Sequence, residues 1–305
     1  GQSYWQMLPL GPTSYGDSPY QSFSAYAGNP YFIDLELLVS DGLLKKSECA
    51  KCDWGSDPRR VDYGKIYENR FALLHKAYQR GWARDAEAVA DFVAENERWL
   101  PDYALYMACK RHFAMKSWTE WPDADIRLRK SEAVLEKYRK LLHEDVELFT
   151  YLQFLFFRQW NALRDYVHGQ GIHIIGDLPI YVSLDSADVW AEPEFFQLDE
   201  KLVPKAVAGV PPDYFTADGQ LWGNPLYDWD AMRGDGFGWW IRRIDGAGKL
   251  YDVIRIDHFR GLAAYWTVPY GDTTAKNGHW VPGPGMDLVD RLNGWLPQLE
   301  FIAED

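Results

Sequence analysis

The amino-acid sequence predicts an α/β fold: an incomplete (β/α)8 TIM barrel with a large helical insertion between two of its strands. Three observations predict it. Short apolar runs recur that each end in a carboxylate, as buried parallel strands do when their carboxyl ends face a common rim. Helix-compatible sequence lies between those runs. Residues 43–168 carry helical periodicity and no clear strand.

Taken in order, Trp5-Gln6-Met7-Leu8-Pro9-Leu10 reads as a short strand stopped by Gly11-Pro12. The loop from Ser14 to Tyr31, dense in Gly, Ser, Pro and Tyr, follows it. A long loop after a strand is more often functional than decorative, so residues 1–42 are assigned to the barrel as its first visible strand and an active-site loop. Residues 43–168 form the insertion. Tyr63 to Arg80 places Ile66, Phe71, Leu74, Ala77 and Tyr78 at helical spacing. Ser131 to His168 is a long helical run ended by Gly169 and Gly171, and Pro101 and Pro122 punctuate the region. Residues 169–305 resume the barrel. Its strands are Ile172–Asp177, Tyr251–Asp257 and Phe301–Asp305, with a lid loop at about 205–230 rich in proline and aromatic rings.

Bulk properties narrow the partners. The chain has 305 residues, 47% hydrophobic, enough for a sizeable core. A net charge of −13 repels phosphate backbones and disfavours nucleic acid. No run approaches the roughly 20 apolar residues of a membrane span, so no membrane partner is expected. Three cysteines, Cys49, Cys52 and Cys109, are too few for a disulfide framework and fit a reducing cytoplasm. Cys49-Ala-Lys-Cys52 has the spacing of half a zinc site, but no second pair follows, and two ordinary thiols are the favoured reading. No metal and no cofactor are expected. Fifteen Trp, 19 Tyr and 15 Phe suit either an aromatic core or the C–H faces of sugar rings.

Side chains alternate along a strand, so Val253, Arg255 and Asp257 share a face, and Ile302 and Glu304 share another. Arg255 and Asp257 are expected inside the barrel, with the arginine holding Asp257 ionised. Asp257 and Glu304 lie one strand–helix–strand unit apart and are expected at the ends of adjacent strands. Neighbouring strands are about 4.8 Å apart, within reach of the roughly 5–5.5 Å that separates the two carboxyl groups of a retaining glycosidase. The apolar Phe301-Ile302-Ala303 before Glu304 is expected to raise that residue's pKa toward an acid's role; parity points Asp305 away. Asp177 orients sugar hydroxyls or Arg255, or caps a helix. His258 donates to a sugar hydroxyl, or packs.

The front segment Trp5–Thr13, then Gly16-Asp17-Ser18-Pro19-Tyr20-Gln21-Ser22-Phe23-Ser24-Ala25 and Gly28-Asn29-Pro30, resembles glycoside hydrolase family 77, the 4-α-glucanotransferases called amylomaltases or disproportionating enzymes. Gly176–Ile180, Val210–Phe215, Leu221–Tyr227, Arg255–Gly261 and Ile302–Asp305 follow in family order. The resemblance implies Asp257 as nucleophile, Glu304 as general acid/base and Arg255 as charge partner. It implies Asp177 and His258 on the sugar at the cleavage point and Tyr20 in the site. Tyr214, Phe215 and Trp222 belong to the lid and acceptor side, and Asn224 of the same motif contacts substrate. The implied reaction moves a segment of an α-1,4-glucan or maltooligosaccharide to the 4-hydroxyl of another glucan, or of glucose. The family's first strand, with a His-Pro-Thr-Ser-Leu-type sequence, and its third carboxylate, in a Thr-His-Asp-Asn-type motif, have no counterpart here. That implies a fragment truncated at both ends, inactive alone. An α-amylase-type hydrolase and a non-catalytic carbohydrate-binding protein are the rival readings.

Overall fold

The computed structural model describes residues 1–304, and the expectation for Asp305 lies outside the described residues. The strands are β1 (Tyr4–Met7), β2 (His173–Leu178), β3 (Ala206–Val210), β4 (Gln220–Pro225), β5 (Val253–Ile256), β6 (Ala264–Pro269), β7 (His279–Pro282) and β8 (Glu300–Ala303). They form two four-stranded sheets.

The first sheet has the order β1-β2-β5-β8, with every pair parallel. Each new strand is added beside the previous one, with no reversal of order. That is how a barrel wall grows, whereas a doubly wound sheet reverses at a switch point. Ile174, Ile254 and Ile256 are fully buried, as apolar residues on the helix-facing side of such a wall should be. The helices His143–Gly169, Gly238–Gly248 and Met286–Trp295 precede β2, β5 and β8.

The chain divides into two compact units. One is Gly1–Tyr26, Ser117–Arg129 and Arg164–Asp305; the other is Ala27–Lys116 and Lys130–Leu163. The second unit is helical. Asp62 and Ser131 cap two of its helices through the main-chain N–H groups of Lys65 and Val134. Pro101, read from sequence as punctuation, opens the helix Leu100–His112, where its missing N–H costs nothing. Gln153 is buried and both donates to and accepts from the Gly28 backbone. That close approach needs glycine, since a Cβ at position 28 would lie 2.0 Å from the Phe156 ring. Segment 117–129, inside the helical stretch of the sequence, groups with the sheet-bearing unit. Trp118 donates its main-chain N–H to Asp185 at 3.1 Å and its indole N–H to the Leu184 carbonyl at 2.6 Å.

The second sheet, β4-β3-β6-β7, is antiparallel. Sequence reading took 205–230 as a loop, and the structure folds most of it into the β3–β4 hairpin. The strands escape notice because β3 is short and β4 reads Gln-Leu-Trp-Gly-Asn-Pro, poor in β-branched residues. Their pairing is set by distant β6, which no local pattern announces.

Candidate active site

The parallel register aligns Asp177, Arg255 and Ile302 on adjacent strands, so their side chains share one face. Asp177 is 3% exposed. It accepts a 2.6 Å hydrogen bond from Arg255 Nη1 and another of 2.6 Å from the Tyr20 hydroxyl. The same guanidinium reaches Asp257 at 3.4 Å and Glu304 at 3.3 Å. Three carboxylates therefore converge on one arginine.

The main chain locks the two residues just beyond the strand ends. Asp257 N–H donates to the Leu178 carbonyl at 2.9 Å, and Glu304 N–H donates to that of Ile256 at 3.1 Å. Phe259 N–H donates to the Glu304 carbonyl, and His258 N–H to the Glu304 carboxylate at 2.9 Å. To make the last bond His258 sits in the left-handed region at φ 52°, which a non-glycine residue occupies only when its surroundings impose it. The Asp257 and Glu304 carboxyls lie against the two terminal nitrogens of one guanidinium, near enough for the charge of Glu304 to act on Asp257.

Burial pushes the Asp257 carboxyl up to about 6, with the charges of Asp177 and Glu304 adding to it and Arg255 opposing. The expectation that Arg255 would dominate Asp257 is corrected here. The guanidinium is shared, and its shortest contact goes to Asp177. Burial and the Asp177 hydrogen bond push the Tyr20 hydroxyl well above its ordinary value, so it stays a donor.

A cavity of about 380 Å³ opens beside Asp257. Of the residues singled out from sequence, Tyr20, Trp222, Asn224 and Asp257 line it. Trp222 packs edge-on against His258 with ring centroids 4.9 Å apart. Asn224 donates to the Val182 carbonyl at 2.9 Å and accepts from Gln21 at 3.3 Å. Tyr214 and Phe215 are not in the cavity. They sit at the hairpin tip, 99% and 92% exposed, on a turn where Asp213 accepts from the Phe215 and Thr216 N–H groups. Ser18, Gln21, Pro179, Ile180 and Tyr181 also line the cavity and were given no role from sequence. The usable signal was position, since each lies within four residues of Tyr20 or Asp177. Among the described residues no cluster of three or more His, Cys, Asp or Glu could hold a metal ion, and no helix is long and apolar enough to cross a membrane.

Comparisons with known proteins match this chain over its whole length. A 4-alpha-glucanotransferase from Clostridium butyricum is 50% identical over 100% of this chain and 62% of its own length. One from Thermus thermophilus is 48% identical over 100% of this chain and 60% of its own. An amylomaltase from Streptococcus agalactiae, solved in complex with acarbose, superposes with a TM-score of 0.96 at 45% identity, covering 100% of this chain and 61% of that one. The chain thus spans about three-fifths of the length of the relatives it matches. Its four parallel strands are a stretch of (β/α)8 barrel wall that does not close on itself. The glycosyl hydrolase family 77 profile, described as 4-alpha-glucanotransferase, matches residues 1–305, and the chain belongs to that family.

Proposed function

We propose that the protein containing this chain is a 4-α-glucanotransferase that works by retaining double displacement. The observation that carries the reading is the pair of carboxyls, Asp257 and Glu304, at the carboxyl ends of adjacent strands, gathered by Arg255 at 3.4 and 3.3 Å. A donor glucan enters between the two carboxyl groups, with Asp257 ionised and Glu304 carrying the proton that the acid role requires. Glu304 then protonates the glycosidic oxygen as the Asp257 carboxylate bonds to the anomeric carbon, releasing the first fragment. The 4-hydroxyl of a second glucan or of glucose gives its proton to Glu304 and attacks the anomeric carbon, and the Asp257 ester breaks.

Asp177 serves as an acceptor for sugar hydroxyls, held by Arg255 and Tyr20. His258 donates to the same sugar. Trp222 offers an aromatic wall, and Asn224 a polar contact beside it. The 205–230 segment acts as a lid, with Tyr214 and Phe215 on the acceptor side. Their exposure suits rings that meet substrate and shed water, which favours transfer over hydrolysis. The unpaired cysteines support a cytoplasmic place.

The test uses the protein expressed over its whole reading frame with maltotriose. Glucose plus a ladder of longer glucans is expected, lost by at least about three orders of magnitude in Asp257→Asn. Steady release of reducing sugar without a ladder would assign a hydrolase instead. An unchanged Asp257→Asn variant would remove the nucleophile assignment.

A further inference from the structure

The helix Gly238–Gly248 buries an arginine that the mechanism above does not use. Arg243 is 2% exposed, and its guanidinium is solvated by main chain and aromatic rings. Nη1 donates to the Ile180 carbonyl at 2.9 Å and to the Tyr227 hydroxyl at 3.0 Å, and Nη2 donates to the Pro179 carbonyl. The Tyr227 hydroxyl in turn donates to the Ile180 carbonyl at 2.7 Å. The rings of Trp240 and Trp239 lie 5.1 and 5.7 Å from the guanidinium carbon. Among the described residues no carboxylate stands within ion-pair distance, and Nε has no hydrogen-bond partner.

A buried cation with no carboxylate in ion-pair contact is costly even with the buried Asp188 acting on it from farther off, and an apolar side chain could fill the same space. What the fork does here is specific: it ties two consecutive carbonyls just past the end of β2. Pro179, Ile180 and Tyr181 are cavity wall, and Asp177 is two residues upstream of Pro179. The segment after Leu178 is irregular, with Pro179 half-buried and Ile180 to Ser183 buried, so no strand ladder fixes its carbonyls. Arg243 and Tyr227 supply that fixing at 179–180, and Asn224 does the same for the Val182 carbonyl.

We propose that Arg243 is a positioning residue for the transfer site, clamping the 179–180 carbonyls so that Asp177 and the Tyr181 ring stay where the sugar at the cleavage point needs them. The inference rests on the glucanotransferase reading. Misplacing a positioning group by about 1 Å can cost about 100-fold in rate.

The experiment compares wild type, Arg243→Met, Arg243→Lys and Tyr227→Phe in the protein of full reading-frame length, with maltotriose across pH. In Arg243→Met, kcat is expected to fall about 10- to 100-fold while KM changes less than about threefold. Its acid limb moves to lower pH, because Asp177 drifts from Asp257; Glu304, Arg255 and Tyr20 are the other charged or titratable groups facing that carboxyl. Lysine restores part of the rate, and Tyr227→Phe, which keeps the ring and loses only the hydroxyl, shifts both readouts the same way by less. A merely structural role would lower thermal stability and leave the acid limb in place. Arg243→Met with wild-type kcat and acid limb overturns the proposal; if that variant does not fold, the same result for Tyr227→Phe does. A wild type that makes no glucan ladder removes the glucanotransferase reading and this inference together. A wild type that makes one, matched by all three variants, removes only the role of Arg243.

Discussion

Asp257, the proposed nucleophile, shows how burial and charge set a carboxyl's working range. Its carboxyl is pushed up to about 6 by burial and by two acidic neighbours, against one shared guanidinium. In the proposed mechanism ionised Asp257 is the reactive form, so kcat/KM is expected to fall as pH drops through about 6. Replacing Asp177 by Asn removes one neighbouring charge and should move that limb lower; a limb that stays put would mean Asp177 does not act on Asp257. The same shift bears on stability. The folded state binds an extra proton between the ordinary value of 3.8 and about 6, so stability declines as pH rises through that window and stays lower above it. Asp257→Asn removes the penalty. The side chain is 30% exposed, which discounts the effect to on the order of 1 kcal/mol. The variant is therefore expected to melt higher than wild type at pH 8 and to lose that advantage at pH 4. An advantage equal at both pH values would contradict the linkage.

Among the elements, β2 carries the tightest fit. At Gly176, the residue before Asp177, a Cβ would lie 2.1 Å from the Tyr251 ring. Gly176→Ala must push a buried aromatic or bend the strand, at a cost of about 1–3 kcal/mol, and it should slow turnover by displacing Asp177. Denaturant midpoint and maltotriose rate measured on one preparation check both, and an unchanged midpoint would show that the wall yields freely there. β2, β5 and β8 were legible in the sequence because parallel strands of a barrel wall leave continuous apolar runs, even at the exposed outer strand β8, and their closing acids marked the rim. Parity then placed Arg255 and Asp257 on one face; the register sets Arg255 opposite Asp177, and the Arg255 guanidinium reaches Asp257 at 3.4 Å. The antiparallel sheet was not legible, since its strands are short and paired at long range. The sharing of Arg255 among three acids was equally hidden, because a sequence shows which groups share a face but not how their distances rank. Arg243 gave no signal, as one arginine of Trp-Trp-Ile-Arg-Arg looks like any solvated helix residue until the packing is seen.

On the scale of the whole molecule the first sheet raises an edge problem. All-parallel sheets are ordinarily covered on both faces, and exposed strand edges invite pairing with other chains. Here β1 and β8 are the outer strands of β1-β2-β5-β8. Tyr4, Trp5, Leu8 and Ile302 on or beside them are exposed, as are Met286 and Trp295 of the helix preceding β8. The net charge of −13 opposes aggregation at long range. Salt screens it over about 8 Å at physiological ionic strength, whereas strand pairing acts at contact. The 305-residue polypeptide made by itself is therefore expected to self-associate, to do so more strongly as salt is added, and to bind a hydrophobic dye such as ANS. Size-exclusion chromatography with light scattering at low and high salt reads this directly. Elution as a 35.3 kDa monomer at both salts, with no dye binding, would show that the outer strands are already protected.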